Sequence, residues 1–406
     1  MNPKNLKTAA QLLMILLLMM SISGCWQRRE LNETAFVLGL GLDKAPTGYR
    51  VTLQVVIPSA ITPQTAGGGG GGVPVIKSSF NVPTLYDTQR QYALISSRAA
   101  YYGHIRVLVI GEELARSGIG ETLDVLKRSR EPRDDYYVMV AKNNTAENVL
   151  GILTPLNKLP ASKLFETLEK SQDISARTVA IPFRDLIENL LSVGKSPVLT
   201  GLEIIGEPKA GKKQSGLEET TPKARMRFSN VAVFRKDKML GWLDDNETIG
   251  YNYITDNVKQ STGPIEGEDG KAIVIGVLQT STTRKVKIVN GVPNIFLHVN
   301  ATCNVQEAVS DDDLSKEETI KELEQKAADR IIFRMRTAVE QINKRFNADI
   351  MGFGQSVYRA NPRAWTRLKE EYGDDYLKNL PIHYKATVNI NRIGLIDKSI
   401  VRDLKE

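Results

Sequence analysis

The first twenty-five residues constrain this chain most. Lys4 and Lys7 give a positive start, residues 12–20 (LLMILLLMM) form an unbroken apolar run, and Ser23-Gly24-Cys25 closes it with small residues and a thiol. That order is the pattern of an export signal with a small-residue cleavage site. An apolar run this short does not cross a bilayer core, which takes ~20 helical residues. Residues 1–24 therefore read as a lipoprotein signal peptide, with Cys25 as the lipidation site, an S-diacylglyceryl cysteine with or without N-acylation. An ordinary secretory signal cut elsewhere, or an uncut hydrophobic anchor, would leave Cys25 incidental. Lipidation is favoured because the small-small-Cys ending falls where the apolar run stops. Two acyl chains, at ~0.8 kcal/mol per buried CH2, suffice for stable anchoring. The expected product is a folded body held on the extracytoplasmic face of a membrane.

Cys303 is the only other cysteine, so an acylated Cys25 leaves no intrachain disulfide and the fold must hold by packing alone. It lies in an alternating segment with Ile295, Leu297, Val299, Ala301 and Val305, which places it on the buried face of a strand. Removing residues 1–24 takes away two lysines and no acid, lowering the formal charge from +7 to +5. That mild charge is scattered, without the aromatic-interleaved basic stripe of a nucleic-acid binder, so no nucleic-acid partner is expected. It suits a position near anionic headgroups.

Periodicity predicts a multi-domain α+β or α/β chain with mixed sheets and packed helices. An N-terminal α/β domain is expected over 25–196. Within it, residues 35–43 and 49–57 form a hairpin, and helices over 85–100 and 112–128 alternate with strands over 105–110 and 136–141. Further helices are expected at 162–170 and 183–191. Residues 58–76 carry six consecutive glycines, Gly67 to Gly72, and read as a loop. A middle β-rich domain is expected over 197–265, with a strand at 198–205, a strand-turn-strand at 231–242 and polar breaks at 207–223 and 261–270. The C-terminal α+β domain, 270–406, should be an antiparallel sheet covered by one long amphipathic helix over 314–350. On that helix Ile320, Leu323, Ala327, Ile331, Met335, Val339, Ile342 and Phe346 recur about every 3.7 residues, close to the ~3.6 of a helix face, and Ser315 with Glu318 suggests a capping box. A shorter helix at 362–372 and a strand at 382–390 complete the domain.

Catalytic residues, metal ligands and cofactor-binding residues are all read as none. His104, His298 and His383 are far apart in sequence, and no HExxH, CxxC, GxSxG or SxxK spacing occurs. Gly39-Leu40-Gly41-Leu42-Asp43 lacks the third glycine and the following helix of a dinucleotide fingerprint, so its glycines read as relief of crowding or a bulge. Asp312 and Asp313, with the acid before them, and Asp244-Asp245-Asn246-Glu247 could each bind a cation weakly, but neither run has the Gly and terminal Glu of a calcium loop; the first sits where acids favourably precede a helix N-terminus, and the helix-dipole reading is preferred. The basic stretch at 127–133, with Arg128, Arg130 and Arg133, reads as a solvated helix end. The alternative is a surface that docks lipid or an acidic partner.

Taken together, Cys25-Trp26-Gln27-Arg28-Arg29-Glu30-Leu31, Gly39-Leu40-Gly41-Leu42-Asp43-Lys44, Val109-Ile110-Gly111-Glu112-Glu113-Leu114-Ala115, the run from Val231 to Leu243 (VAVFRKDKMLGWL) and Asp349-Ile350-Met351-Gly352-Phe353-Gly354 resemble the Ger(x)C family. Arg392-Ile393-Gly394 near the end is similar to the same family. These are the lipoprotein C subunits of bacterial spore germinant receptors. Gln27 stands where the family commonly has aspartate, and the six-glycine run departs in loop length. The resemblance implies a non-enzymatic, lipid-anchored subunit on the outer leaflet of the inner spore membrane, required for germination in response to nutrients. Its partners would be the membrane-embedded A-type and B-type receptor subunits and membrane lipid; direct binding of a small-molecule germinant is not expected. Two other readings stay open. A small-solute-binding lipoprotein of the cell envelope would need two similar lobes joined by hinge strands. An envelope enzyme would need a nucleophile, base or metal cluster.

Overall fold

The computed structural model describes Met14 and residues 31–58, 73–155, 157–213, 215, 220–310 and 312–392. Cys25, residues 26–30, the glycines 67–72 and residues 393–394 lie outside the described residues.

Residues in the first half alternate between β-branched runs and helical periods, and they build a nine-stranded sheet, counted among the described residues. Its path is β3 (Val75–Val82), β2 (Tyr49–Val56), β1 (Thr34–Lys44), β5 (Val107–Gly111), β6 (Tyr137–Ala141), β7 (Val198–Gly206), β8 (Ala224–Arg235) and β9 (Lys238–Leu243), with β4 (Ala99–Tyr101) beside β1. The centre is parallel, with Leu40 opposite Leu108 and Leu108 opposite Val138, and antiparallel hairpins close both edges.

Parallel strands need crossover helices, and these cover both faces. Val107, Val109 and Met139 pack under α4 (Ala146–Leu150) and α5 (Pro160–Ser175). Leu108, Ile110 and Val138 face the other way, toward α2 (Glu112–Ser117), α3 (Gly120–Arg128) and α6 (Phe183–Leu191). The expected single helix over 112–128 is split. Gly118 takes φ +126°, and Gly120 donates its amide to Asp237 of the β8–β9 turn at 3.2 Å. The expected helix over 85–100 is shorter: α1 (Asp87–Ala93) ends before β4 begins. The loop read over 58–76 gives way to β3 at Val75.

The second sheet runs β10 (Ser261–Glu266), β11 (Ala272–Val289), β12 (Val292–Ala308), β13 (Ile382–Arg392). The β11–β12 hairpin turns at Asn290 and Gly291, both at positive φ, the two-residue turn that matches strand twist. One face is covered by α9 (Glu317–Phe346), which buries Leu323, Ala327, Ile331, Met335, Val339, Ile342 and Phe346 as the periodicity requires. Lys316 is the N-cap and its side chain makes no capping bond, so the suggested Ser315/Glu318 box does not form. β13 pairs parallel with β12, because the chain returns through α9, α10 (Phe353–Ala360) and α11 (Pro362–Tyr372) before re-entering the sheet. The polar break expected at 261–270 contains β10. Pro264 is tolerated there because β10 is an edge strand.

Residues 197–265 have no sheet of their own. β7, β8 and β9, with the short α7 (Pro208–Gly211) between β7 and β8, extend the first sheet, whereas α8 (Asp245–Ile254) packs on α9 and β10 joins the second sheet. β8 explains why: Ala232 and Phe234 face the first core, and Val231 and Val233 face the core under α9. A strand buried on both faces joins the two halves and belongs wholly to neither.

Candidate functional site

The described segments among those singled out in the sequence meet along one seam that runs from the first sheet to the second. It starts in β1. A Cβ at Gly41 would lie 2.9 Å from Leu150 and 3.1 Å from Thr52, so bare backbone is what lets α4 lie against the strand. Asp43 ends the segment, 4% exposed, and accepts the amides of Ala146 at 2.7 Å and Glu147 at 3.0 Å in the first turn of α4. Desolvation raises its pKa against the pull of those two bonds. Glu147 in turn accepts from Arg50 Nη2 at 2.9 Å and Lys77 Nζ at 3.0 Å. The Arg50 hydrogen bond, ahead of Lys77, holds its carboxyl down at about 2.

β5 lies alongside, and its last residue, Gly111, leaves room for Asp43: a Cβ there would fall 2.0 Å from Asp43 Oδ1. Glu112 follows. It accepts the Asn143 amide at 2.8 Å, Arg116 Nη2 at 2.6 Å and the Trp242 indole N–H at 3.2 Å. Burial alone would raise the Glu112 pKa, but the Asn143 amide, Arg116 and Trp242 together hold it below the usual range. Trp242 sits on the β8–β9 hairpin and carries the seam across.

On the far side of the hairpin, Arg235 donates to the carbonyls of Phe346 and, at 3.0 Å, Asn347. Arg345 donates to both Glu247 oxygens at 2.6 and 2.7 Å and to the Trp242 carbonyl at 2.8 Å. Glu247 is held twice, because with Asp244 it also forms a capping box at the start of α8. The acidic run at 244–247 is thus a helix start. The sequence carried the signal, an Asp three residues ahead of a Glu before an apolar stretch.

The seam ends at the loop after α9. Asp349, 5% exposed, accepts the amides of Phe353 at 3.0 Å and Gly354 at 2.6 Å and the Tyr376 hydroxyl at 2.8 Å. Desolvation raises its pKa; the three donors and Arg284 oppose the rise. Its carbonyl accepts the Ser196 amide at 2.8 Å, and the Gln355 amide donates to Gly194 at 3.0 Å, so the 192–197 connection is stitched to this loop. Gly194, at φ +66°, is close-packed: a Cβ would meet Gly354 backbone at 2.7 Å. Arg284 of β11 donates to the carbonyls of Met351 at 2.7 Å and Ile254 at 3.0 Å and lies over the Phe353 ring at 5.2 Å. Sequence reasoning missed Arg284, which sits alone in a polar stretch and has no local signature.

The carboxylates of Asp43, Glu112, Glu147, Glu247 and Asp349 are each committed to amides or cations, an arrangement that fixes geometry and leaves no poised base. His298 bonds Thr387 at 2.9 Å; His383 bonds Asn294 at 2.9 Å and stacks on Phe296; His104 lies among Phe36 and Tyr101. Among the described residues no group of three His, Cys, Asp or Glu is placed to hold a metal. Cys303 is 1% exposed, and burial pushes its thiol up to about 12, the environment of a structural cysteine. In the basic stretch, Lys127 pairs with Asp134 and Arg128 with Asp124 at 2.7 Å, on an exposed helix end. Cys25, the one predicted site residue, lies outside the described residues, as do Trp26, Gln27 and Arg28 after it.

Residues 27–204 match the spore germination protein N-terminal domain, and residues 229–394 match the domain described as spore germination B3/GerAC like, C-terminal. The chain is 30% identical over 400 residues to Spore germination protein KC of Bacillus subtilis (strain 168), covering 97% of this chain and 98% of that protein. It is 24% identical to Putative spore germination protein YfkR of the same organism, covering 97% and 99%. Among solved structures, that of the GerBC protein aligns with a TM-score of 0.54 at 16% identity, over 87% of this chain and 97% of that one, a likeness of fold. With both domain patterns matched in order and relatives aligned end to end, this chain belongs to the Ger(x)C family of spore germination proteins.

Proposed function

We propose that this protein is the lipid-anchored, non-enzymatic C subunit of a spore germinant receptor and acts by assembly with the membrane-embedded A-type and B-type subunits. The end-to-end similarity to spore germination relatives carries this reading. The anchor rests on Cys25 at the end of the apolar run, and a lipid tether is compatible with the described residues, among which no helix is long and apolar enough to cross a membrane. The body would stand on the outer leaflet of the inner spore membrane. Its seam of satisfied carboxylates supports a scaffold whose two halves are held in one geometry for partners to grip. The two halves are unlike, a nine-stranded and a four-stranded sheet, which argues against a solute-binding pair of similar lobes.

The test is Cys25→Ala in the native host. Loss of the protein from the membrane fraction together with slowed nutrient germination is expected. Retention in that fraction with a full germination response would refute the anchored-subunit reading.

A further inference from the structure

On the flank of α9 beside β10, two arginines one helical turn apart pair with no acid among the described residues. Arg330 and Arg334 both reach over the backbone of Gly263 in β10: a Cβ there would lie 3.4 Å from Arg330 Nε and 3.6 Å from Arg334 Nη2. Arg330 donates to the Pro264 carbonyl, and its Nε is shielded from solvent with no hydrogen-bond partner. Neither guanidinium has a carboxylate within ion-pair distance among the described residues. Acids on the elements packed around α9 and β10 have partners of their own: Asp245 with Arg177 at 3.2 Å, Asp173 with Lys259 at 2.7 Å, Glu247 with Arg345, and Asp329 with the Gln325 amide at 2.9 Å. Burial, and after it the charge of Arg330, lowers the Arg334 pKa, the mark of a cation kept without its counter-ion.

Both arginines line an open cleft of about 740 Å3, measured out to its mouth, with Asn246, Phe333 and Thr337. Phe333 is 67% exposed beside them, an aromatic ring left in solvent. Two like charges held together without an acid are a standing cost, and an oxyanion that accepts from both guanidiniums removes it. We propose that the Arg330–Arg334 cleft is a binding site for a phosphate group. Two guanidiniums offer a double positive charge and forked donors. A phosphate monoester carries ~1.5–2 negative charges at neutral pH, and a carboxylate carries one. Phosphate thus matches the site's charge, and the source is either free phosphate or the phosphomonoester headgroup of phosphatidic acid; the diester of phosphatidylcholine carries one charge and does not match. The proposal is independent of the receptor reading.

The experiment uses the full-length chain in nanodiscs and inorganic phosphate as the probe. In phosphatidylcholine discs, titration calorimetry should show saturable phosphate binding at matched ionic strength, about tenfold weaker in Arg330→Gln and in Arg334→Gln and unchanged in Lys321→Gln. In the unaltered protein, phosphate should protect Arg330 and Arg334 from phenylglyoxal, read by peptide mass spectrometry, while Arg336 and Arg363 remain reactive. Discs containing phosphatidic acid separate the sources: loss of inorganic phosphate binding there assigns the site to a headgroup, and unchanged binding assigns it to free phosphate. Either result upholds the phosphate site. No saturable binding in phosphatidylcholine discs beyond that of sodium chloride, or no protection of the two arginines, overturns it.

Discussion

β5 and β12 both sit inside their sheets, yet they solve different problems. Every residue of β5 is buried, since helices cover both faces, and its sequence VLVIG is apolar throughout. β12 alternates: Ile295, Leu297, Val299, Ala301, Cys303 and Val305 lie under α9, and Phe296, His298, Thr302 and Asn304 turn to the half-open face. The first sheet spends apolar residues on two interfaces and depends on small residues such as Gly41 and Gly111 for close approach. The second spends them on one and keeps a polar face. Register is specified in both, by one buried face in the second sheet and by two in the central strands of the first.

Three measurements can break or sharpen that contrast. The largest effect is expected at the place where the two regions meet. Asp349→Ala strips three donors of their acceptor and leaves Arg284 without its counter-charge, so a loss of ~3–5 kcal/mol is expected from chemical denaturation. A loss near zero would show that the joint does not couple the halves. Next, Leu108→Ala in β5 should cost ~2–5 kcal/mol, while Val286→Ala on half-exposed β11 should cost under about 1.5 kcal/mol, by the same denaturation assay. Equal costs would erase the two-faced versus one-faced distinction.

The smallest effect is one of pH. The folded-state pKa of Glu147 is depressed to about 2 from 4.5, so its contribution is complete above pH 4.5 and is lost as pH falls toward 2. Glu147→Gln should therefore flatten the acid limb of the stability profile over that interval, followed by thermal melts. The pair is partly solvated, which keeps the effect modest. An unchanged acid limb would show that Arg50 and Lys77 do not hold this carboxylate. Asp349, with its pKa raised, works in the opposite direction, favouring the folded state as it takes up a proton.

Much of this architecture is visible in the chain alone. The alternation at 295–305, the face of α9, the bounds of α6 and α11 and the hairpin at 231–243 follow from period and turn chemistry. The missed points share a cause. Helix 112–128 breaks because Asp237, more than a hundred residues away, claims the Gly120 amide. Asp244, not Ser315, caps a helix with its partner Glu, because a box needs the chain to turn in at that residue and Lys316 is where α9 turns.

Local pattern alone determined most of the element types and buried faces, and the motif set that names the family, because each of these depends on residues within a few turns of one another. Tertiary structure decided which sheet each strand joins, that β8 serves two cores, that five scattered carboxylates form one satisfied seam, and that Arg330 and Arg334 face a cleft with no acid paired to them among the described residues. Those outcomes turn on contacts between distant segments, and such contacts are settled only when burial forces every polar group to find its partner in three dimensions.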